Sequence, residues 1–257
     1  MSGPESNGWL KMVGLGPGPE DWLTPQARRD LAEATDLVGY FPYVERVPPG
    51  DQVRHASDNR VELDRARFAL DLAAQGRRVA VVSGGDPGIF AMAAAIFEAL
   101  DDPDAPEAWR AVHLSVDPGV SAMQAAAARA GAPLGHDFCA ISLSDNLKPW
   151  EVVLRRLRLA AEADFVIALY NPISKARPWQ LGAAFDALRD IRAPETPIVL
   201  GRAVGRPDEE LTVTTLGEVR AEQADMRTLV IIGASHTRFV ARADGGRWVY
   251  TPRHYRG

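Results

Sequence analysis

One acidic residue set between glycines is the first feature of the sequence with chemical potential. Asp86 lies in the segment GGDPG at 84–88, directly after the apolar run at 79–82. In an open α/β sheet, ligands bind at the carboxyl ends of the strands. A carboxylate at this place could accept hydrogen bonds from a ribose or an amine. The alternative is that Asp86 only caps a helix beginning near Ile89, and the residues alone favour neither interpretation.

A glycine-rich segment, GLGPGP at 14–19, follows the first predicted strand. The dinucleotide fingerprint G-x-G-x-x-G would need its third glycine at 19, where Pro19 stands, and an acidic residue about 20 positions further on. The second predicted strand ends instead in Gly39-Tyr40-Phe41. The segment is therefore either a tight turn or a loop whose bare backbone comes close to a flat or bulky ligand.

Two more loops follow predicted strands. Asp117-Pro118-Gly119 leads to Ser121, which could cap the next helix, or the small residues there could let an adenine lie against the backbone. Asn171-Pro172 is followed by Lys175 and Arg177. Those two cations could bind carboxylates or be solvated.

Several other classes of site are disfavoured. The five histidines show no metal-ligand spacing, and neither a G-x-S-x-G nor a P-loop motif occurs. The one cysteine, Cys139, lies inside an apolar strand and is expected to be a small buried hydrophobe. We therefore predict no metal site, and the sequence assigns no catalytic residue.

Composition limits the partners. The 257 residues are 46% hydrophobic and 25% charged, with a net charge of −5, which argues against a general nucleic-acid-coating protein. No apolar run is long enough for a membrane helix, and the polar N-terminus does not have the order of a signal peptide. We expect a cytoplasmic protein with no nucleic-acid or membrane partner.

Alternating apolar runs and amphipathic stretches predict an α/β fold. In the first half the pattern predicts strands at 9–15, 36–40, 78–83 and 111–116, and helices at 25–35, 61–74, 89–100 and 120–130. In the second half it predicts strands at 138–143, 165–170, 197–204, 211–215 and 227–232, and helices at 150–163, 179–191 and 216–223. The segment GAPLG at 131–135 is the best candidate linker. We predict two α/β domains, 1–136 and 137–257, with a mixed sheet in the second.

Taken in order, these loops resemble one family, the tetrapyrrole (class III) methyltransferases. The resemblance spans Val13 to Ser235 and rests on six segments: VGLGPGPEDWLT, VVSGGDPGIF, DPGVSAMQAAAARAGAPL, IALYNP, GRAVGRPDE and MRTLVIIGAS. Trp22 stands where many relatives have Leu. The segments LYNPISKARPWQL, SGGDPGIFAMA and ISLSDNLKPW are most similar to members that methylate a corrinoid ring in cobalamin biosynthesis, with the metal-free and the cobalt-containing ring both left open.

The resemblance implies a homodimer whose two domains enclose S-adenosyl-L-methionine in a cleft, with S-adenosyl-L-homocysteine as product. It assigns cofactor binding to these positions: Pro17, Gly85, Asp86, Pro87, Ile89, Ser121, Ala122, Leu143, Tyr170, Asn171, Ala203 and Thr228. The opening loop is associated mainly with the tetrapyrrole side, and the substrate positions are Gly16, Gly18, Asp21, Tyr40, Tyr43 and Arg177.

The implied reaction moves a methyl group from a sulfonium to a ring carbon, with contraction of the macrocycle. Contraction requires a proton acceptor, for which Asp21, Asp58 and Glu62 are candidates. The carboxylates of the substrate could pair with cations, for which the candidates are Arg46, Arg54, Arg60, Lys175 and Arg177. A non-catalytic tetrapyrrole carrier, or a family member acting on another target, are the alternatives.

Overall fold

The computed structural model describes residues 8–59 and 61–254. Its residues form two compact units, one ending at Ser121 and the other beginning at Ala122. Arg60, one of the candidate carboxylate partners, lies outside the described residues. Within those residues, no helix is both long and apolar enough to cross a membrane.

The described part of the first unit is built on a five-stranded parallel sheet. Its strands are β1 (Trp9–Gly14), β2 (Asp36–Tyr40), β3 (Val53–Ser57), β4 (Arg78–Ser83) and β5 (His113–Asp117). Their order is β3-β2-β4-β1-β5, and every pairing is parallel. Val79, Ala80, Val81 and Val82 of β4 are fully buried, as expected for a strand with both faces covered.

The helices of this unit are α1 (Pro25–Glu33), α2 (Phe41–Val44), α3 (Glu62–Ala74), α4 (Met92–Asp101) and α5 (Glu107–Arg110). The predicted start of α1 is confirmed, because Thr24 Oγ1 accepts a hydrogen bond from Ala27 N at 3.1 Å and Pro25 is the first helical residue. Gly76 has φ +86° and ends α3 as predicted. α3 and α4 cover one face of the sheet, and α1 covers the other.

The second unit contains a mixed sheet, as predicted. Its helices are α6 (Ala122–Ala130), α7 (Trp150–Glu162) and α8 (Gln180–Arg189), and its strands begin with β6 (Gly131–Ala132), β7 (Phe138–Ser142), β8 (Val166–Tyr170), β9 (Pro197–Arg202), β10 (Glu210–Thr215) and β11 (Thr228–Ile232). The sheet order is β10-β9-β11-β8-β7. Only β7 and β8 are parallel among the described strands of this sheet.

Some elements were not predicted. β3 reads Val-Arg-His-Ala-Ser, which is too polar to register as a strand, yet it pairs with β2 at the sheet edge. β12 (Arg238–Ala241) and β13 (Arg247–Tyr250) form a small sheet with β6, the segment expected to be a linker. The helix predicted at 216–223 is wrong. Gly217 N donates to Pro194 O at 2.8 Å, and only Ala221–Gln223 forms a 3-10 turn.

The division between the units also differs from the expected boundary near 136. The alanine-rich α6 packs with β9, β10 and β11 of the second sheet. A Cβ atom on Gly201 of β9 would lie 2.8 Å from Ala126 Cβ of α6. The helix therefore packs closely on the strand because Gly201 has no side chain. Close packing therefore places α6 in the second unit.

Asp36 joins the amino ends of β2, β3 and β4. Arg77 Nε donates to its Oδ2 at 2.7 Å, Thr35 Oγ1 donates to the same oxygen, and His55 Nε2 lies 2.8 Å from its Oδ1. Burial alone raises the pKa of this carboxyl, but these hydrogen bonds outweigh it and lower the pKa to about 2 from a usual 3.8.

We expect Asp36→Asn to lower the free energy of unfolding by about 2 kcal/mol at neutral pH, the value of a pKa depressed by roughly two units. The folded pKa is depressed, so this contribution is complete above the usual pKa and is lost as the pH falls towards about 2. Urea unfolding at pH 7 and at about pH 3 measures it. Asp51→Asn, at an exposed carboxylate of the same unit, is the control. An equal effect of Asp36→Asn at both pH values would contradict the assignment.

Candidate functional site

Three glycines from three strand-end loops pack against one another in the first unit. Gly14 ends β1, Gly85 follows β4 and Gly119 follows β5. A Cβ atom on Gly14 would lie 2.8 Å from the Cα of Gly119, and one on Gly119 would collide with the carbonyl oxygen of Gly85. No side chain fits where these loops meet, so each loop presents bare backbone. We call this contact the glycine junction.

The opening loop is hydrogen-bonded to the Gly-Asp-Pro loop. Gly16 N donates to Gly85 O at 3.1 Å, and Gly85 N donates to Gly16 O at 2.9 Å. Both glycines have positive φ, +64° and +75°, a backbone region that glycine adopts without strain. Pro17 and Gly18, next along the opening loop, are half-buried. The two loops predicted from separate motifs are therefore one hydrogen-bonded structure.

Asp86 connects its own loop to the loop after β5. Its Oδ1 accepts from Gly88 N at 2.8 Å, and its Oδ2 accepts from Gly119 N at 3.0 Å. The capping interpretation is wrong, because the N-cap of α4 is Ala91. Each carboxylate oxygen can accept a second hydrogen bond, so the half-buried Asp86 retains capacity for a ligand while it holds the loop. Pro87 is buried, Ile89 is half-buried, and Phe90 follows with φ +52°.

Two arginines expected to pair with substrate carboxylates instead bind backbone carbonyls. Arg46 Nη2 donates to Leu15 O at 3.0 Å and to Gly18 O at 3.2 Å. Arg54 donates to three carbonyl oxygens, those of Val44, Val47 and Pro48. A guanidinium offers five donors in a fixed fork, which suits it to holding a loop in one shape. Arg46 and Arg54 therefore support loops, and their pairing with substrate carboxylates stays a prediction.

Two tyrosines stand beside the Gly-Asp-Pro loop. The rings of Tyr40 and Tyr43 form an edge-to-face pair with centroids 5.5 Å apart. A Cβ atom on Gly84 would lie 2.6 Å from Tyr43 Cε1, so this ring closes directly over the loop. The pair is available as an aromatic wall at the carboxyl end of β2.

The candidate proton acceptors are all at the surface. Asp21 lies in an exposed 3-10 turn, and Asp58 and Glu62 are exposed near the end of β3. Between the latter two, the buried Arg65 donates to Asp58 O at 2.6 Å, and burial lowers its pKa. None of the three carboxylates is singled out, and each remains a prediction.

In the second unit, predicted residues come together at the carboxyl ends of β7 and β8. Leu143 N donates to Tyr170 O at 2.9 Å, and Asn171 Nδ2 donates to Ser142 Oγ at 3.0 Å. The Tyr170 hydroxyl accepts from Met123 N at 3.2 Å, in the first turn of α6, where Ala122 stands. Leu143, Tyr170, Asn171 and Ala122 therefore share one edge of this unit. Ser121 precedes Ala122 and is buried at 1% exposure.

Arg177 faces its own loop. Its side chain is 9% exposed, its Nη1 donates to Asn171 O at 3.2 Å, and its Nε lies 4.0 Å from Asp145 Oδ1. The arginine thus supports the loop at Asn171, whose φ is +52°, and its contact with the substrate stays a prediction. Lys175, two residues earlier, is exposed.

Ala203 directly follows β9 and Thr228 begins the neighbouring β11, and the side chains of both are buried. They are 6% and 4% exposed. Ala203 N donates to Arg227 O at 3.0 Å, and Thr228 Oγ1 donates to Asp225 Oδ1 at 2.9 Å. Ala203 has φ +49°. A ligand at this edge would therefore contact mainly backbone.

Backbone strain marks these loops. Across 8–59 and 61–254, four non-glycine residues have positive φ, and three of them, Phe90, Asn171 and Ala203, fall in or beside the predicted loops. Such conformations cost about 1–3 kcal/mol each and cluster at binding sites. The spacing of residues in the sequence does not predict these positive φ values.

One group near the site was missed from the sequence. Asp117, the last residue of β5, is fully buried and accepts from Gln26 Nε2 at 2.6 Å. Asp30 of α1 accepts from Lys11 Nζ at 2.5 Å. The pKa of Asp117 is raised to about 6, mainly because the group is buried and secondly because it interacts with Asp30. Burial raises the pKa of Asp30 as well, but Lys11 turns the net shift downwards. The signal available was an acid directly before a Pro-Gly turn, the same pattern as Asp86.

Comparison with known proteins finds relatives that match nearly the whole chain. A family model described as Tetrapyrrole (Corrin/Porphyrin) Methylases matches residues 10–220. A precorrin-3B C(17)-methyltransferase of Sinorhizobium sp is 60% identical over 251 residues, covering 97% of this chain and 98% of the relative. A probable cobalt-factor III C(17)-methyltransferase of Salmonella typhimurium is 40% identical over 248 residues, covering 96% and 99%. The crystal structure of the methyltransferase CobJ matches with a TM-score of 0.90 at 53% identity, covering 95% of this chain and 100% of that chain.

The glycine junction gives a direct test of packing. We expect Gly119→Ala to destabilise the protein by about 1–3 kcal/mol, the usual effect of overpacking, because the added methyl meets the backbone oxygen of Gly85. Gly182→Ala in α8 is the matched control, since its Cβ would come no closer than 3.9 Å to Ala221 Cβ and alanine favours a helix. Urea unfolding of both variants measures the difference. Equal stabilities would show that the junction is not tightly packed.

Proposed function

The chain belongs to the tetrapyrrole (corrin/porphyrin) methylases, and from that premise we propose that it is a precorrin-3B C(17)-methyltransferase of cobalamin biosynthesis. It transfers a methyl group from S-adenosyl-L-methionine to the corrinoid ring, with ring contraction, to give precorrin-4. The observation that carries this proposal is the 60% identity to a relative of that name over nearly the whole of both chains.

The bare backbone of the strand-end loops supports cofactor binding. We infer that the first unit contributes Pro17, Gly85, Asp86, Pro87, Ile89 and Ser121, and that the second contributes Ala122, Leu143, Tyr170, Asn171, Ala203 and Thr228. In the first unit, Asp86 accepts hydrogen bonds from a ribose or amine with its remaining lone pairs. In the second, the buried side chains of Ala203 and Thr228 leave the main chain as the contact surface.

Positioning is the main task of the chain's own residues. The sulfonium of S-adenosyl-L-methionine supplies a good leaving group, and the electron-rich ring carbon is the nucleophile, so the protein need not form a covalent intermediate. Holding both in attack geometry can lower the activation barrier by about 7–11 kcal/mol. The glycine junction and the Asp86 hydrogen bonds to Gly88 and Gly119 fix the loops that do this.

For the tetrapyrrole, we propose contacts at the opening loop and beside it. Gly16 and Gly18 offer backbone, and Tyr40 and Tyr43 offer aromatic surface for the macrocycle. Arg177 acts through the Asn171 loop, while the exposed Lys175 is a candidate partner for a carboxylate. Asp21 remains a substrate contact and, with Asp58 and Glu62, a candidate acceptor of the proton released on ring contraction.

The second candidate is a cobalt-factor III methyltransferase, which acts on the cobalt-containing ring. The Salmonella typhimurium relative of that name supports it at 40% identity, a weaker likeness than the 60% above. A non-catalytic tetrapyrrole carrier of the same fold is the third. Homodimer formation and a cytoplasmic location stay predictions.

The first experiment is a calorimetric titration of the purified protein with S-adenosyl-L-homocysteine, with NADH as control. We expect saturable binding of the former alone. Methyl transfer is then assayed with precorrin-3B and with a cobalt-containing ring, and turnover of the metal-free ring is the expected result. Ring binding without turnover would leave the carrier. No binding of S-adenosyl-L-homocysteine, with or without tetrapyrrole, would overturn the methyltransferase proposal.

The role of Asp86 gives a second prediction. We expect Asp86→Ala to weaken S-adenosyl-L-homocysteine binding by roughly 10- to 100-fold. The change removes two charge-assisted hydrogen bonds worth about 1.5–3 kcal/mol each. Part of that energy appears as weaker binding, because the loops of the free variant are less ordered. Asp101→Ala, at an exposed residue of the adjacent α4, is the control. Circular dichroism verifies that both variants fold. A folded Asp86→Ala protein with unchanged affinity would refute the role of Asp86.

A further inference from the structure

Two carboxyl groups meet beneath the loop that follows β5. Asp117 is the last residue of β5, paired with Val13 of β1, and it lies two positions before Gly119. Asp30 comes from α1, which covers the same face of the sheet. Asp117 is 0% exposed and Asp30 is 6% exposed. The pair is therefore shielded from water and directly connected to the backbone of the glycine junction.

The hydrogen bonds of the pair leave room for one proton. Lys11 Nζ lies 2.5 Å from Asp30 Oδ1, and Gln26 Nε2 donates to Asp117 Oδ1 at 2.6 Å. Oδ2 of each carboxyl is buried and has no hydrogen-bond partner. Gln26 lies one turn before Asp30 on α1, so the Asp117 carboxyl that Gln26 binds lies beside that of Asp30. Two buried carboxylates side by side repel each other, and a proton on one of them removes the repulsion and provides a donor for the other. Lys11 favours the anion at Asp30, so Asp117 is the group that takes up the proton.

The hydrogen-bonded connection continues into the proposed cofactor site. Asp117 is followed by Pro118, whose φ is fixed by its ring, and then by Gly119, whose N–H donates to Asp86 at 3.0 Å. A displacement of Asp117 would therefore be passed through a stiff residue to the donor that holds Asp86.

We propose that Asp117 is a positioning residue, which through the proton it shares with Asp30 holds the Pro118-Gly119 turn in the arrangement that binds the cofactor. This inference rests on the proposed function for its ligand. Asp117 acts through Gly119 and Asp86 and does not itself contact the reacting atoms.

The direction of the pH effect follows from the charges around the pair. Lys11 from β1, and Asp30 and Arg29 from α1, are the charged groups near the two carboxyls among the described residues. Loss of the shared proton leaves two buried carboxylates with one close cation, Lys11, and their repulsion pushes the turn away from α1. The pKa of Asp117 is about 6, so the turn is held below this pH and loosens above it.

The test compares the wild type with Asp117→Asn, whose amide donates permanently to the Asp30 carboxylate and does not titrate. S-adenosyl-L-homocysteine affinity and amide exchange of 118–121, corrected for intrinsic rates, are measured from about pH 5 to about pH 8. We expect wild-type affinity to fall about fivefold or more across this range, a typical coupling between sites, and exchange to accelerate in parallel. Asp117→Asn should show neither trend, Asp117→Ala should bind weakly throughout, and Asp101→Asn should follow the wild type.

Each outcome either supports or overturns the proposed role of Asp117. An Asp117→Asn protein that keeps the wild-type pH dependence overturns the proposal. If the wild type binds no S-adenosyl-L-homocysteine at any pH, the proposed function fails, while the exchange rates at 118–121 still test the link between the acid pair and the turn. If Asp117→Asn does not fold, the Asp117 carboxyl is titrated by carbon-13 NMR in the wild type, and titration at an ordinary aspartate pKa overturns the proposal.

Discussion

The contact among Gly14, Gly85 and Gly119 is the constraint on which the rest of the first unit depends. Three parallel strands, β4, β1 and β5, are adjacent in the sheet, so their carboxyl ends emerge side by side. A side chain on Gly14 or Gly119 would force the loops apart. With none, the loops approach closely enough for Gly16 to bond with Gly85 and for Asp86 to reach the Gly119 N–H. Tyr43 packs against Gly84 of one of these loops, and Arg46 binds Leu15 O and Gly18 O of another.

Much of the fold could be predicted because local patterns are unambiguous in it. β4 is a continuous apolar run, α1 has both a capping threonine and a proline at its first position, and α3 ends at a glycine. The failures have an equally local cause. β3 is polar because it lies at a sheet edge, and β6 is only two residues long. The alanine-rich α6 has no sequence feature that shows which sheet it packs against.

The candidate site was predictable in its loops and unpredictable in its side-chain partners. Glycines and prolines mark where loops occur, and that information is local. Whether Arg46 pairs with a ligand or with Leu15 O and Gly18 O depends on residues about 30 positions away. The same holds for Asp117, whose protonation depends on Asp30 and Lys11 from other elements. Whether a charged group is buried depends on the packing of the whole molecule, so it cannot be predicted from the spacing of residues in one sequence.

The strand order determines when each strand of the first sheet can find its neighbours during synthesis. β1 contains the first described strand residues, yet it lies between β4 and β5, whose residues are 78–83 and 113–117. Pairings of such long sequence separation form slowly, because a long loop must close before they contribute. During synthesis, β1 can first pair with β4, and it gains its second neighbour only after β5 has left the ribosome. The loop after β5 is therefore the last of the three loops at the glycine junction to reach its place. A nascent chain that has emerged only as far as about residue 100 would present an unpaired edge of β1, a surface prone to aggregation.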